Sequence, residues 1–166
     1  MKKLALLIVG LAISISAFAN DLGYGNTKWG MTPNEVIVAE QGRAHTIKSE
    51  KYGDSWGKVR IDEVKIAGDI YKVNFLFDTA DKLIQANIKG DDLKNEGLVQ
   101  LRFDSLHKLL TQKYGQPEFK SDDKVSWKTS STTIELSKFI LKSINVAMIN
   151  ISYKPNSKVE GETSNL

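Results

Sequence analysis

No cysteine occurs in the 166 residues of this chain. That excludes a disulfide framework, a thiol nucleophile, a thiolate metal site and a lipid anchor attached through cysteine. Histidine is nearly absent too: His45 and His107 stand alone, without the H-x-x-x-H spacing of an imidazole metal site. No Gly-x-Ser-x-Gly nucleophile elbow is present. Gly23-Tyr24-Gly25 lacks the third glycine, and the flanking strand and helix, of a phosphate cradle. The acidic pairs Asp91-Asp92 and Asp122-Asp123 are too short to supply the alternating ligands of a calcium loop. The expectation is a chain with no catalytic residues, no metal and no cofactor. Apolar runs are also short, and none reaches the roughly 20 residues that a membrane-crossing helix needs.

The longest apolar run spans residues 4–15. Lys2 and Lys3 precede it, and Ala17-Phe18-Ala19 follows. A charged opening, an apolar centre and an A-x-A site are the three parts of a secretory signal peptide, so residues 1–19 are expected to be removed. The mature chain is then expected in the bacterial periplasm or medium, with no stable membrane anchor. Taking Lys2 and Lys3 from the 23 basic residues leaves 21 against 20 acidic ones. With no basic segment standing out, the electrostatic footprint of a nucleic-acid binder is missing.

After a polar lead-in, Thr32-Pro33-Asn34-Glu35 reads as a helix start. Thr32 can cap, Pro33 takes the first helical position and Glu35 completes a capping box. The helix is expected over residues 33–41, with Val36, Ile37 and Ala39 inward and Gly42 as its stop. Residues 45–50 read as a weak strand, and residues 51–57 as a loop. In the strand from Val59 the apolar positions change parity between Ile61 and Val64, which predicts a bulge near Asp62-Glu63. Ala67-Gly68-Asp69 predicts a hairpin turn. Tyr71, Val73, Phe75 and Phe77 alternate cleanly, and Ile84, Ala86 and Ile88 give the next inward face.

A second helix is expected between Glu96 and Tyr114, from the stripe Val99, Phe103, Leu106 and Leu110 widened by Leu109 and Tyr114. Gly115 and Pro117 end it. Strands are expected over residues 124–128 and 132–136, then an irregular connection over residues 139–143. A last strand over residues 145–153 changes parity after Met148, which calls for a second bulge or burial on both faces. From Lys154 the composition is that of a disordered tail. The fold class is α+β: an antiparallel sheet with two helices on one face. The order helix plus three strands occurs twice, which divides the single domain of residues 20–153 into halves 29–90 and 91–153. A tandem repeat and an undivided sandwich both fit that order.

Trp29-Gly30-Met31-Thr32-Pro33-Asn34-Glu35-Val36 with Gly42, and Lys113-Tyr114-Gly115-Gln116-Pro117, resemble the helix motifs of the outer-membrane assembly lipoproteins of the SmpA/OmlA type. That helix-plus-meander module is shared with the β-lactamase-inhibitor proteins, which carry it in tandem. The resemblance implies a scaffold that binds proteins rather than a catalyst. The chain departs from the lipoproteins in having no cysteine to lipidate.

Tyr52, Asp54 and Trp56 lie in a polar stretch too hydrophilic for core, the composition of an interface anchor. Trp56 can equally fold back to close the sheet edge. Trp29 and Trp127 read as core, Tyr24 is open, and His107 reads as a solvated helix position. The leading expectation is a non-catalytic adaptor or inhibitor whose protein partner is unknown. The alternatives are a small hydrolase, a carrier with an apolar cavity lined by Phe75, Phe77 and Leu110, and a structural envelope protein.

Overall fold

A computed structural model describes residues 22–90, 95–141, 143 and 146–163. The expected signal segment, residues 1–19, lies outside the described residues. Helix α1 (Pro33–Ala39) starts as its capping box dictates: the Thr32 N–H donates to Glu35 Oε2 at 2.7 Å. Glu40 caps its other end, and Gln41 and Gly42 follow in left-handed conformations. The hydrogen bonds from Thr32 hold the Glu35 carboxyl below its ordinary pKa. The stability this adds is present above the ordinary carboxylate range and fades as pH falls through the depressed value. In an NMR titration, Thr32→Ala, which removes the hydroxyl donor and keeps the N–H, is expected to move the Glu35 midpoint part of the way upward; an unmoved midpoint would assign the whole effect to the backbone N–H.

Strands β1 (Ala44–Tyr52) and β2 (Ser55–Ile66) form a hairpin. The expected loop over residues 51–57 is therefore only the two-residue turn Gly53-Asp54, with Gly53 at φ 57°. A glycine with positive φ at the first of two turn positions suits the right-handed twist of the flanking strands. Next come β3 (Asp69–Phe77) and β4 (Leu83–Gly90). The β2–β3 turn uses Ala67 and Gly68, both at positive φ, and the expected bulge falls at Glu63, φ 57°. In β4 a register shift beside Leu83 turns Ile84 out of phase, so the inward residues are Leu83, Ala86 and Ile88, not Ile84.

Helix α2 (Glu96–Tyr114) has the expected bounds, with Asn95 capping the Leu98 N–H and Gly115 at φ 86° closing it. Val99, Phe103, Leu106 and Leu110 are buried; Leu109 is exposed rather than part of the stripe. Four strands follow: β5 (Phe119–Lys120), β6 (Lys124–Lys128), β7 (Thr132–Leu141) and β8 (Val146–Pro155). β7 runs to Leu141, into the region expected to be irregular, and pairs with β8 in unbroken register from Thr132–Pro155 to Leu141–Val146. No bulge interrupts β8 in that pairing. Ala147, Ile149, Ile151 and Tyr153 are buried on one side, and Val146 and Met148 stand half-buried on the other. The expected disordered tail is instead the end of β8 and helix α3 (Asn156–Thr163).

The eight strands form one antiparallel sheet in the order β1-β2-β3-β4-β8-β7-β6-β5. Each of α1 and α2 is followed by four strands, one more than the sequence suggested, and the two last strands, β4 and β8, join the halves. One apolar core takes Val36 from α1, the four buried residues of α2, and Phe75, Phe77, Ala86, Trp127 and Tyr153 from the sheet. The side of the sheet carrying these residues is the inner face. No described helix is long and apolar enough to cross a membrane.

Candidate docking face

Register fixes what the outer face displays. On the inner face, one line across the sheet reads Ile61, Val73, Ile88, Ile151, Leu136 and Val125, all buried. Successive side chains alternate between faces. One residue along, the line reads His45, Arg60, Asn74 and Asn87, then Ser152, Glu135, Ser126 and Phe119. That line crosses all eight strands on the outer face and is polar until its last member. A second line holds Lys72, Lys89, Asn150, Ser137 and Lys124. A third holds Leu76 and Gln85 in the first half, and Lys154, Thr133 and Lys128 in the second.

The outer polar groups interact with one another. Asp62 lies 3.3 Å from His45 and 2.9 Å from Arg60, although the Arg60 contact lacks hydrogen-bond alignment. Lys124 pairs with Glu135 at 3.2 Å. Gln85 donates to Asn87 Oδ1 at 2.8 Å and accepts from Lys158 of α3 at 3.3 Å. Asn74 Oδ1 is buried with no hydrogen-bond partner among the described residues. At the far end Phe139, half exposed, pairs with Met148, leaving an apolar corner on an otherwise polar face.

Tyr52, Asp54 and Trp56 do not form one patch. Tyr52 faces outward over Gly57, where an added Cβ would lie 2.9 Å from its ring and 3.5 Å from Leu76. It thereby shelters Leu76, which is buried although it points away from the core. The Tyr52 hydroxyl donates to Glu50 at 2.8 Å; burial first, then Glu50, raises its pKa. Trp56 pairs with Phe77 on the inner side, with Lys51 Nζ 5.8 Å from its ring. Asp54, exposed at the turn, contributes to the field at Lys158, whose pKa is lowered chiefly by burial and then by Lys154. Trp56→Ala is therefore expected to lower unfolding stability by about 1–2 kcal/mol in urea titration, as loss of a half-buried aromatic. A change below about 0.3 kcal/mol would return Trp56 to a partner-facing role.

Phe75, Phe77 and Leu110, the residues expected to line an apolar cavity, are buried in the core cluster. Tyr24 packs edge-on against Tyr153 at 5.2 Å. The Tyr114 hydroxyl donates to that of Tyr153 at 3.2 Å; burial, and next Tyr114, push the Tyr153 phenol far above its ordinary pKa. Tyr153 is thus neutral across physiological pH. A cavity of about 350 Å³ opens beside this pair, lined also by Lys113, Ser130 and Ser131. Half-buried Trp29 donates to Thr132 Oγ1 at 2.8 Å, and Trp127 is buried. His107, expected in solvent, lies 5.9 Å from the Trp127 ring, and burial lowers its pKa. Among the described residues, no group of three or more His, Asp or Glu side chains could hold a metal ion.

An eight-stranded antiparallel sheet with its apolar core on one face and a mostly polar other face defines a mixed α+β, sheet-rich protein. The chain belongs to the TP0088 domain family, whose model matches residues 22–154. No curated protein and no solved structure matches it. Helix α3 lies beyond the matched span.

Proposed function

We propose that this chain is an exported, non-catalytic protein-binding module, an adaptor or inhibitor of the periplasm or medium, and that it meets its partner on the outer face of the sheet. The observation that carries the reading is the polar line crossing all eight strands on the side opposite the core. A rigid sheet holds such side chains in fixed relative positions, so little ordering entropy is lost when a partner binds. The opening signal-like segment supports export, and the repeated helix-plus-strands order is in keeping with the tandem arrangement of the β-lactamase-inhibitor proteins. We read α1 and α2 as sharing the inner face, because both feed the same core cluster.

The test is capture from periplasmic extract by immobilised protein, with mass spectrometry. Ser137→Trp, which adds bulk without charge on the outer face, is expected to weaken capture of a stoichiometric partner at least about tenfold. Gln112→Trp on α2 should leave it intact. Capture that survives Ser137→Trp and fails with Gln112→Trp would move the interface to the helical side and sink the proposal.

A further inference from the structure

We propose that the outer face is built to dock an acidic segment of a partner protein, and that α3 occupies one end of that surface in cis as a displaceable strap. The inference rests on the outer face being the binding surface and adds the chemistry of what binds. The chain itself displays the complementarity. Lys128 pairs with Glu160 at 3.2 Å, and Lys154 with Glu162 at 3.7 Å. Lys128, Lys154 and Gln85 belong to one line of the outer face, and α3 lies across it.

The cationic character continues past α3. The three outer lines carry Arg60, Lys72, Lys89, Lys124, Lys128 and Lys154, with Glu135 the carboxylate among them, and Asp62 and Glu50 add carboxylates at the β1–β2 end of the same face.

Helix α3 has the properties of a strap rather than of a core element. It contributes nothing to the core cluster, and it lies outside the family span. Eight residues that include Gly161 do not hold a helix unaided. Asn156 pins the start of α3, its N–H donating to the Ser131 carbonyl and its side-chain amide to the Thr129 carbonyl, each at 2.9 Å, while the carboxylates further along are held by exposed ion pairs. Those carboxylate ties are the kind an incoming acidic segment reproduces, and the pinned start keeps the strap tethered when they open. As a tethered competitor it has a high effective concentration, so it suppresses weak acidic ligands and yields to a better-matched one.

The test uses the full chain and a fluorescein-labelled oligo-glutamate of about 20 residues, followed by anisotropy at low salt. Glu160→Gln/Glu162→Gln is expected to bind the probe on the order of tenfold tighter than the parent chain, because the competitor is loosened. Lys72→Glu/Lys124→Glu is expected to abolish binding. Lys108→Glu/Lys113→Glu, which removes equal charge from α2, should leave it unchanged. Hydrogen exchange is expected to show the α3 amides opening well before the sheet. Equal losses from both lysine pairs would overturn the proposal by reducing it to net charge. So would α3 amides that exchange only on global unfolding, or no gain in affinity from the glutamine variant. If the probe ignores the outer face while Ser137→Trp still weakens partner capture, the acidic preference falls and the module reading stands.

Discussion

Replacing Trp127 with alanine is expected to cost the fold about 3–5 kcal/mol, a large share of the roughly 5–15 kcal/mol that holds a domain of this size. Trp127 is among the largest side chains fully buried here, at 1% exposure. It does more than fill volume. Its indole N–H donates to the Gly115 carbonyl at 3.1 Å, so it ties the end of α2 to β6. It pairs with Ile134 on β7, and the His107 ring of α2 lies 5.9 Å away. Truncation opens a cavity at the seam between helix and sheet and removes the donor that satisfies the helix-end carbonyl. Trp127→Phe should retain much of the packing and lose the indole donor. A loss of about 1–2 kcal/mol is expected for it, clearly less than for alanine. Urea unfolding followed by far-UV circular dichroism measures both, since the variants remove a fluorophore. An alanine variant within about 1 kcal/mol of the parent would mean that α2 is held to the sheet elsewhere.

The sequence is legible where a single local rule decides the outcome. The bounds of α2 follow from one apolar stripe and a glycine stop, and the bulge at Glu63 from a parity change. Legibility fails where both faces of a strand carry apolar residues. Phe139-Ile140-Leu141 shows no alternation because Phe139 and Leu141 point outward on a patch that is itself apolar, so β7 reads as ending early. Met148 and Val146 mislead in β8 for the same reason, and the small Ala147 that faces inward carries too little signal to correct them. The hairpin at Gly53-Asp54 was hidden by the flanking aromatics, which made a two-residue turn resemble a loop. Helix α3 is invisible to composition, because it has no apolar stripe and its carboxylates meet Lys128 and Lys154 only in the folded chain. The outer face has the same character: none of its three lines is contiguous in sequence, and each exists only once its strands are in register. What the sequence did offer was the alternation that separates the faces.

A carboxylate inside the fold supplies the other large expected effect. Glu40→Ala should lower stability by about 3 kcal/mol, the low end of the cost of breaking a buried ionic pair. Glu40 is fully buried at the end of α1, on the same stripe as Val36 four residues earlier. It accepts the Asn26 N–H at 2.8 Å and pairs with Arg43, whose exposed half keeps it in water and moderates the loss. The turn over residues 23–27 is wrapped against this carboxylate. An added Cβ on Gly25 would collide with Glu40 Oε1, and Gly25 sits at φ 62°, so glycine alone fits there. The turn in its own right places the Tyr24 ring on Tyr153 and 6.3 Å from Phe75. Removing the carboxylate thus leaves the Asn26 N–H unpaired and unties an aromatic cover from the core. Glu40→Gln, which keeps an oxygen to accept that N–H, should recover part of the loss. The Glu40–Arg43 double-mutant cycle should give a coupling of about 1–3 kcal/mol. The readout is urea unfolding paired with hydrogen exchange at Thr27, whose N–H bonds to the Tyr24 carbonyl at 3.2 Å and should lose protection with the turn. An alanine variant as stable as the parent, with Thr27 still protected, would show that the turn stands without its carboxylate and that Tyr24 is held by ring packing alone.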